Sequence, residues 1–247
     1  MNNDWSKNLG SPDLARIVAD ISSDGHLQLK DWRGLVSFYS NDKSKINKIN
    51  NKIFRMFGVK GRIYTKLGKN LQYRIFFISK PLALFLRDIG TPDGNKVNKP
   101  FYVPDWIIKG DDKVIRSYLQ GLFSGEGSIY PTKNKDGSQR WRISIEMYKY
   151  IEYEKEGLEY FNQIKYMINK LGVYTSPARF GRKNKRKDNT YSIALKLDIE
   201  SKQFSKFYKG IGFDDKDKTK KLLGVIAEAQ RRCAEVSSKR RLQTQAA

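Results

Sequence analysis

Two stretches of the sequence follow the same pattern, LARIVADISSDGH at residues 14–26 and IRSYLQGLFSGEGSI at residues 115–129. Each reads as an apolar helix that ends on an acidic residue and a glycine, Asp24-Gly25 and Glu126-Gly127. Small residues recur at the same offsets before the two acids. They are Ser23, Ala19 and Ala15 in the first stretch and Gly125, Gly121 and Ser117 in the second. Residues four apart share one helix face, so each helix is predicted to offer a smooth strip that another backbone can approach closely.

The two acids become neighbours if the strips pack together. Glycine inside a helix costs about 1 kcal/mol relative to alanine, so Gly121 is expected to have a packing role. Adjacent carboxylates at Asp24 and Glu126 can bind one divalent metal ion, and phosphate oxygens can complete its coordination shell. Metal ions bound in this way promote the hydrolysis of phosphodiesters. The alternative is two ordinary acids at helix ends. The helix dipole disfavours a carboxylate there, and this penalty, met twice, favours a functional role.

The remaining pattern predicts an internal duplication and an α+β fold. The order helix–strand–strand–helix–strand–strand–helix occurs twice. We place the first repeat at 11–90, a connector at 91–110, the second repeat at 111–232 and a loose basic tail at 233–247. A turn is expected at Gly68. In the second repeat, strands near 174–181 and 189–198 are expected to flank a basic loop over 182–187.

Composition indicates the partner. The 247 residues include 48 Lys and Arg against 26 Asp and Glu, a formal charge of +22, and both halves are basic. Such an excess attracts polyanions, so nucleic acid is the expected partner, with an inert basic surface as the alternative. One cysteine and one histidine exclude a disulfide framework, a cysteine-based zinc site and a multi-histidine metal site. The sequence shows neither a membrane-spanning apolar run nor a signal segment, so we expect a soluble intracellular protein.

The motif pair resembles the two motifs of the LAGLIDADG homing endonuclease family. The second motif is the closer match, with Leu119, Gly121, Leu122 and Gly125 before Glu126-Gly127, whereas the first has no glycine in its middle. The resemblance covers about residues 11–230, as a single-chain member with two repeats.

The resemblance implies a fold and an activity. Two curved four-stranded antiparallel sheets would form a saddle over DNA, with the motif helices packed at its centre. The protein would act as a monomer in intron homing, cutting both strands of a long asymmetric site and leaving short 3′ overhangs. It would use Mg²⁺, for which Mn²⁺ or Ca²⁺ could substitute in binding.

The same resemblance implies roles for individual residues. The metal ligands would be Asp24 and Glu126 together with the preceding residues Ser23 and Gly125. Lys80 and Lys202, at matching places in the two repeats, would stabilise phosphate charge or position water, and Asn41 would assist catalysis. Lys80 and Lys202 could equally be surface lysines at helix starts.

Strand alternation predicts which side chains face DNA. Polar and basic residues suited to base edges and phosphates share the outward face in both repeats. In the first repeat these are His26, Gln28, Lys30, Arg33, Ser37, Tyr39, Arg62, Tyr64, Lys66, Gln72 and Arg74. In the second they are Ser128, Tyr130, Thr132, Lys133, Arg140, Arg142, Ser144, Glu146, Arg179, Thr190, Ser192 and Lys196. Arg182 and Lys183 of the basic loop are expected to contact phosphates.

Three other functions remain open. A protein on the same scaffold could bind intron RNA as a maturase, or bind DNA without cutting it. A basic structural protein of a ribonucleoprotein is a third possibility, disfavoured by the duplicated motif. The family occurs in archaea and in eukaryotic organelles, so either an archaeal cytoplasm or an organelle is expected.

Overall fold

The computed structural model describes residues 4–66, 71–133 and 136–245. Within them the helices are α1 (Pro12–Ser22), α2 (Lys43–Phe57), α3 (Lys80–Asp88), α4 (Asp105–Ile108), α5 (Asp112–Gly125), α6 (Glu154–Lys170), α7 (Phe204–Gly210) and α8 (Lys216–Gln245). The strands are β1 (His26–Lys30), β2 (Arg33–Ser40), β3 (Arg62–Lys66), β4 (Gln72–Ile78), β5 (Gly127–Lys133), β6 (Gln139–Tyr150), β7 (Arg179–Lys185) and β8 (Tyr191–Glu200). The turn predicted at Gly68 lies outside the described residues.

Local sequence signals set the ends of the motif helices. The Ser11 hydroxyl accepts a hydrogen bond from the Leu14 amide at 3.2 Å, and Pro12 occupies the first turn of α1. In the second repeat the Asp111 carboxylate accepts from the Val114 amide at 2.9 Å and caps α5. Side-chain caps satisfy amides that the first helical turn leaves free, so both motif helices begin where the sequence predicts.

The strands form two four-stranded antiparallel sheets within the described residues. The strand order is β1-β2-β4-β3 in the first sheet and β5-β6-β8-β7 in the second, so the two sheets share one topology. Each sheet begins directly after a motif helix, because β1 starts at His26 and β5 at Gly127. The predicted α+β fold of two like repeats is therefore confirmed.

The motif helices lie between two hydrophobic cores. Leu14, Ile17 and Ile21 of α1 pack into the core of the first repeat. Ala15, Val18 and Ala19, on another face of α1, pack into the core that contains α5. Helix α1 therefore packs against both repeats, and its small side chains face α5, as the strip of small residues four apart predicts.

Two predicted boundaries in the second half are wrong. The basic segment expected as a loop over 182–187 is largely strand β7, which pairs with β8 at the edge of the sheet. Edge strands often carry Lys and Arg, so the charge run did not mark a loop. The tail expected to be loose after residue 232 continues α8 to Gln245. Its sequence contains neither glycine nor proline after Gly224 to stop the helix.

Candidate functional site

The small-residue strips of α1 and α5 meet, as predicted. A methyl group at Gly121 would lie 2.8 Å from Ala19 Cβ, and one at Gly125 would lie 2.6 Å from Ser23 Oγ. At the other end of the pair, the Ser117 hydroxyl donates to the carbonyl of Pro12 at 2.7 Å. The two backbones are therefore too close for side chains larger than these along the interface.

This packing brings the two motif acids together. A methyl group at Gly125 would lie 3.2 Å from Asp24 Oδ2, which places the Asp24 carboxylate against the backbone that leads into Glu126. Burial, followed by the negative charge of Asp24, raises the pKa of Glu126 to about 6. Asp24 is exposed and Glu126 is half-buried. The pair therefore consists of one open and one desolvated carboxylate that repel each other.

A lysine lies at the end of each motif helix. Lys96 Nζ donates to the carbonyls of Ile21 at 2.9 Å, Gly25 at 3.1 Å and Ser23. Lys218 Nζ donates to the carbonyls of Ser124 at 2.8 Å and Gly125 at 3.4 Å. A cation at this end of a helix is stabilised by the helix dipole.

Both lysines also lie beside the carboxylates. Burial lowers the pKa of Lys96 to about 8, while the negative charges of Glu126 and Asp24 act in the opposite direction. Burial likewise lowers the pKa of Lys218, against the charges of Asp215, Asp24 and Glu126. Both ammonium groups in turn lower the pKa of Glu126. The site therefore combines two carboxylates with two cations that partly neutralise them.

Sequence reasoning missed Lys96 and Lys218. A signal for them exists, since each lies six residues after the glycine that follows the third helix of its repeat, Gly90 after α3 and Gly212 after α7. The two residues differ in local structure, because Lys96 lies in an irregular segment and Lys218 in the first turn of α8. The shared spacing was visible in the sequence, whereas the shared contact with a motif-helix end required the fold.

The lysines chosen from the sequence lie elsewhere. Lys80 donates to the carbonyl of Asp31, at the turn between β1 and β2. That turn is about 20 Å from Asp24 at 3.3 Å per strand residue. Lys202 is exposed and pairs with Glu200 at 3.3 Å, at the far end of β8. Both lysines are therefore bonded to groups other than the carboxylate pair, and their catalytic role stays a prediction.

The other predicted catalytic residue, Asn41, lies at the nearer end of its sheet. It is exposed and follows β2 directly, two residues after Tyr39. Tyr39 and Lys45 line a shallow cleft beside Asp24 and Ser23. Asn41 therefore lies at the same edge of the sheet as the carboxylates, and its catalytic role stays a prediction.

The polar face of the first sheet agrees with the alternation predicted for it. The pairing register places all the predicted residues of the first repeat on the face opposite Leu27, Val36 and Phe77. The Arg74 guanidinium lies 3.8 Å from the centre of the Phe76 ring and 4.6 Å from that of Tyr39. His26 lies on this face at the end nearest Asp24, and burial, followed by the charges of Lys96 and Arg74, lowers its pKa. The face is therefore basic and aromatic.

In the second sheet, the register supports the predicted face for the residues of β5 and β6 other than Lys133, and for Arg179, Ser192 and Lys196 of β7 and β8. One face assignment is wrong. Lys133 pairs with Gln139 in register with Pro131 and Trp141, on the helix-packed face, because neighbours along a strand point to opposite faces and Thr132 lies on the polar one. A bulge between Phe180 and Lys183 shifts β7, so Lys183, expected in a loop, lies in a strand, pairs with Ile193 and stacks on Tyr191. Its contact with phosphate stays a prediction.

The same bulge contains Arg182, which is exposed. Thr190 lies in the turn before β8, where its hydroxyl donates to Asp188 at 2.6 Å. Sequence reasoning missed Asp198, an acid on the polar face that is 1% exposed. Its carboxylate binds Arg142 at 2.9 Å and Arg179 at 2.6 Å. Burial raises the pKa of Asp198, but the neighbouring Ser144 hydroxyl and then the two arginines outweigh it and lower the pKa overall. Two predicted contact residues are thus held in place by an acid between them.

The carboxylate pair fits a hard divalent cation. Mg²⁺ commonly binds through one or two carboxylates and the phosphates of a substrate, and needs no cage of protein ligands. The described residues contain no group of three or more His, Cys, Asp and Glu side chains placed to hold a metal ion. The carbonyl oxygens of Ser23 and Gly125, the other predicted ligand residues, accept hydrogen bonds from Lys96 and Lys218. Ligands beyond the two carboxylates would therefore come largely from water and substrate.

Comparison with known proteins identifies the fold. Residues 113–212 match the family model described as a LAGLIDADG-like domain. This segment is therefore similar to a LAGLIDADG-like domain. The resemblance inferred from the motif pair is confirmed, and the matched segment runs from the start of α5 to just after α7. In the part of the chain that the structure describes, we find no helix long and apolar enough to cross a bilayer.

Solved structures with this fold include two nucleases bound to DNA. The homing endonuclease I-DmoI, solved as a variant with its target DNA in the presence of Mg, aligns with a TM-score of 0.52 and 16% identity, over 83% of this chain and 97% of that one. The homing endonuclease I-WcaI, bound to its DNA recognition sequence, aligns with a TM-score of 0.52 and 15% identity, over 89% and 90% of the two chains. Identity this low establishes the shared fold only.

The curated relatives bear names of unrelated activities. A tRNA-splicing ligase RtcB of Methanopyrus kandleri is 26% identical over 229 residues, 87% of this chain and 22% of that protein. A glutamine–fructose-6-phosphate aminotransferase of Methanocaldococcus jannaschii is 26% identical over 222 residues, 87% of this chain and 18% of that protein. The chain thus spans about a fifth of the length of these relatives.

Proposed function

We propose that this protein is a site-specific endonuclease that cuts both strands of a DNA target with the help of a divalent metal such as Mg²⁺. The observation that carries the proposal is the paired site at the ends of α1 and α5. There Asp24 and Glu126 lie together, with Lys96 bound to the end of α1 and Lys218 bound to the end of α5. One carboxylate and one lysine at each motif-helix end fit two cuts, one on each strand.

The chemistry follows from these groups. Hydrolysis joins a water oxygen to phosphorus and breaks one P–O bond, and the leaving oxygen takes up a proton. Bound Mg²⁺ would activate the water and stabilise the leaving oxygen. The carboxylates would hold the metal. The two ammonium groups would offset phosphate charge through their positive charge.

The sheets supply a surface for the substrate. Their polar faces start at the carboxylate pair, because β1 and β5 follow Asp24 and Glu126 directly. Arginine and lysine on these faces would contact phosphates and base edges. A duplex laid along both faces would pass over the paired site. We propose that cutting there leaves short 3′ overhangs and that the protein acts as a monomer.

The relatives support an activity that belongs to this segment. A tRNA-splicing ligase and an aminotransferase differ in named activity, yet each contains a segment similar to nearly the whole chain. The shared segment therefore does not account for either name. A DNA-cutting unit carried within unrelated proteins is consistent with this distribution.

A cutting assay tests the proposal. A library of long random duplexes is incubated with Mg²⁺ and the wild type, Asp24→Asn, Glu126→Gln or the control Asp88→Asn, which changes an exposed acid at the end of α3. We expect defined double-strand breaks with the wild type and the control, and a loss of about a thousandfold in either motif variant. Duplex binding without cutting by the wild type would favour a DNA-binding protein. Binding of intron RNA in preference to DNA would favour a maturase.

A further inference from the structure

Lys149, at the end of β6, is a lysine buried between the second sheet and the connector over residues 91–110. Its side chain belongs to the second sheet and is 2% exposed. Nζ donates to the carbonyl of Lys96 at 2.5 Å and to that of Lys99 at 2.8 Å. It also lies 3.9 Å from the centre of the Phe101 ring. Burying a charged group costs free energy unless other polar partners replace its water. Here two carbonyl oxygens and the Phe101 ring replace the water around the Lys149 ammonium, so the buried side chain can stabilise the segment that it contacts.

The segment that Lys149 binds carries Lys96. On one side the Gly94 amide donates to the carbonyl of Leu27 in β1 at 2.7 Å. On the other side the Tyr150 amide donates to the carbonyl of Val97 at 2.9 Å. The segment is thus fixed to the first sheet before Lys96 and to the second sheet after it, and Lys149 binds the backbone of Lys96 itself.

We infer that Lys149 is a positioning residue, through which the second repeat holds Lys96 against the end of α1 and beside the carboxylate pair. This inference rests on the proposed function, since it concerns the cutting of one strand. Contacts connect the three parts directly. Lys149 Nζ bonds the Lys96 carbonyl, and Lys96 Nζ bonds the carbonyls on either side of Asp24. Burial also lowers the pKa of Lys149 to about 7, as expected of an ammonium removed from water.

The other lysine of the site is held in a different way. Lys218 lies in the first turn of α8, where its amide donates to the Asp215 carboxylate at 2.8 Å. Helix geometry and this cap fix its backbone. Loss of the Lys149 ammonium should therefore disturb the half-site of Lys96 and leave that of Lys218 in place.

Strand-resolved cleavage of a supercoiled plasmid that carries the target tests the inference. The variants are Lys149→Met, Lys96→Met and Lys218→Met. The control is Lys170→Met, which removes a lysine that donates to the Gly110 carbonyl at 3.1 Å, away from the site. We expect Lys149→Met to slow the cutting of one strand by about 10- to 100-fold, because a small misplacement has that effect. Nicked plasmid should accumulate, with the same strand left intact as in Lys96→Met.

Hydrogen exchange supplies a readout that does not depend on cutting. In Lys149→Met, the amides between Val97 and Tyr102 should exchange faster than in the wild type, and the amides of α5 should exchange at the wild-type rate. In the control Lys170→Met, both sets of amides should exchange at the wild-type rate. If Lys149→Met does not fold, Lys149→Gln, which keeps an uncharged N–H donor group, should show the same strand bias to a smaller degree.

Each other outcome has a definite meaning. Equal slowing of both strands, slowing of the strand that depends on Lys218, or unchanged cutting and exchange would overturn the positioning role. A wild type that cuts no duplex would contradict the proposed function instead. In that case faster exchange would still show that Lys149 holds the segment, and unchanged exchange would refute it.

Discussion

The polar faces of the two sheets hold their arginines by different means. In the first sheet the Arg74 guanidinium lies against the rings of Tyr39 and Phe76. In the second, Arg142 and Arg179 share the carboxylate of Asp198. Stacking leaves the N–H groups of a guanidinium available to a ligand, whereas an ion pair uses some of them and fixes its direction. Two sheets of the same topology therefore differ: the arginine of the first sheet can still turn its N–H groups toward a ligand, whereas the two arginines of the second sheet are held in one direction by Asp198.

The two lysines at the motif-helix ends differ in the same sense. Lys96 bonds three carbonyls around the end of α1. An ammonium group has three donors, so Lys96 is fully committed to the protein. Lys218 bonds two carbonyls at the end of α5. Lys96 therefore also holds its own segment against the end of α1.

The largest effect that would test this comparison is expected at Asp198. Asp198→Ala would leave two arginines facing each other without their carboxylate, and we expect a loss of about 3 kcal/mol in the free energy of unfolding. Tyr39→Leu, which removes one ring beside Arg74, should lower it by only about 1 kcal/mol. Urea unfolding of the two variants at pH 7 measures both values. Equal losses would mean that the two faces do not differ as described.

The effect of Asp198 should also depend on pH. Its folded pKa is lowered, so its stabilising contribution is present at neutral pH and is lost as the pH falls through the folded value. The stability difference between wild type and Asp198→Ala should therefore narrow in acid. A constant difference from pH 7 to pH 2 would contradict the ion-pair explanation.

The lysines should separate activity from stability. We expect Lys218→Met to slow the cutting of one strand by about 100-fold with little change in Tm, because few contacts are lost. Lys96→Met should slow the other strand by a similar factor and also lower the free energy of unfolding by about 2 kcal/mol, because charged hydrogen bonds to three carbonyls are removed. Strand-resolved cleavage and thermal unfolding measure the two quantities. An equal loss of Tm in both variants would remove the distinction.

Much of the architecture could be predicted because its causes are local and periodic. The small residues before Asp24 and Glu126 set the helix contact, and unbroken alternation gave the first sheet its face. In the second sheet an edge strand rich in Lys and Arg, with a bulge after Phe180, was mistaken for a loop.

The lysines of the site were harder to predict for a different reason. Lys80 and Lys202 occupy matching places at helix starts, so a comparison of local patterns selects them. Lys96 and Lys218 lie in dissimilar local structures, and their equivalence consists in a tertiary contact with the end of a motif helix. The buried Asp198 was missed for a related reason, since its partners come from two other strands.

A smaller effect is expected where the two motifs differ in sequence. The second motif has Gly121 opposite Ala19 of the first, and a methyl group at Gly121 would lie 2.7 Å from Arg16 Cδ. Gly121→Ala would therefore force the helices apart, at about 1–2 kcal/mol of stability despite the better helix propensity of alanine. Gly224→Ala, in the open part of α8, is the matched control and should be neutral or stabilising. Chemical denaturation measures both, and a stabilising Gly121→Ala would refute the close contact.

The smallest effect is expected from the repulsion between the two carboxylates in metal-free protein. The pKa of Glu126 in the folded protein is about 6, above its ordinary value. As the pH rises, the carboxyl therefore loses its proton at a lower pH in the unfolded state than in the folded state. Its ionisation therefore destabilises the fold above pH 6 and has no effect below about pH 4. In EDTA, Glu126→Gln should raise the free energy of unfolding by about 1 kcal/mol at pH 8 and leave it unchanged at pH 4. Asp24→Asn should act in the same direction, because Asp24 is the second cause of the raised pKa.

Addition of Mg²⁺ should raise the free energy of unfolding of the wild type at pH 8, since only the ionised pair can bind the cation. The wild type should then be more stable than Glu126→Gln, the reverse of their order in EDTA. An order that Mg²⁺ leaves unchanged would show that the two acids do not form a metal site, whatever role the lysines play.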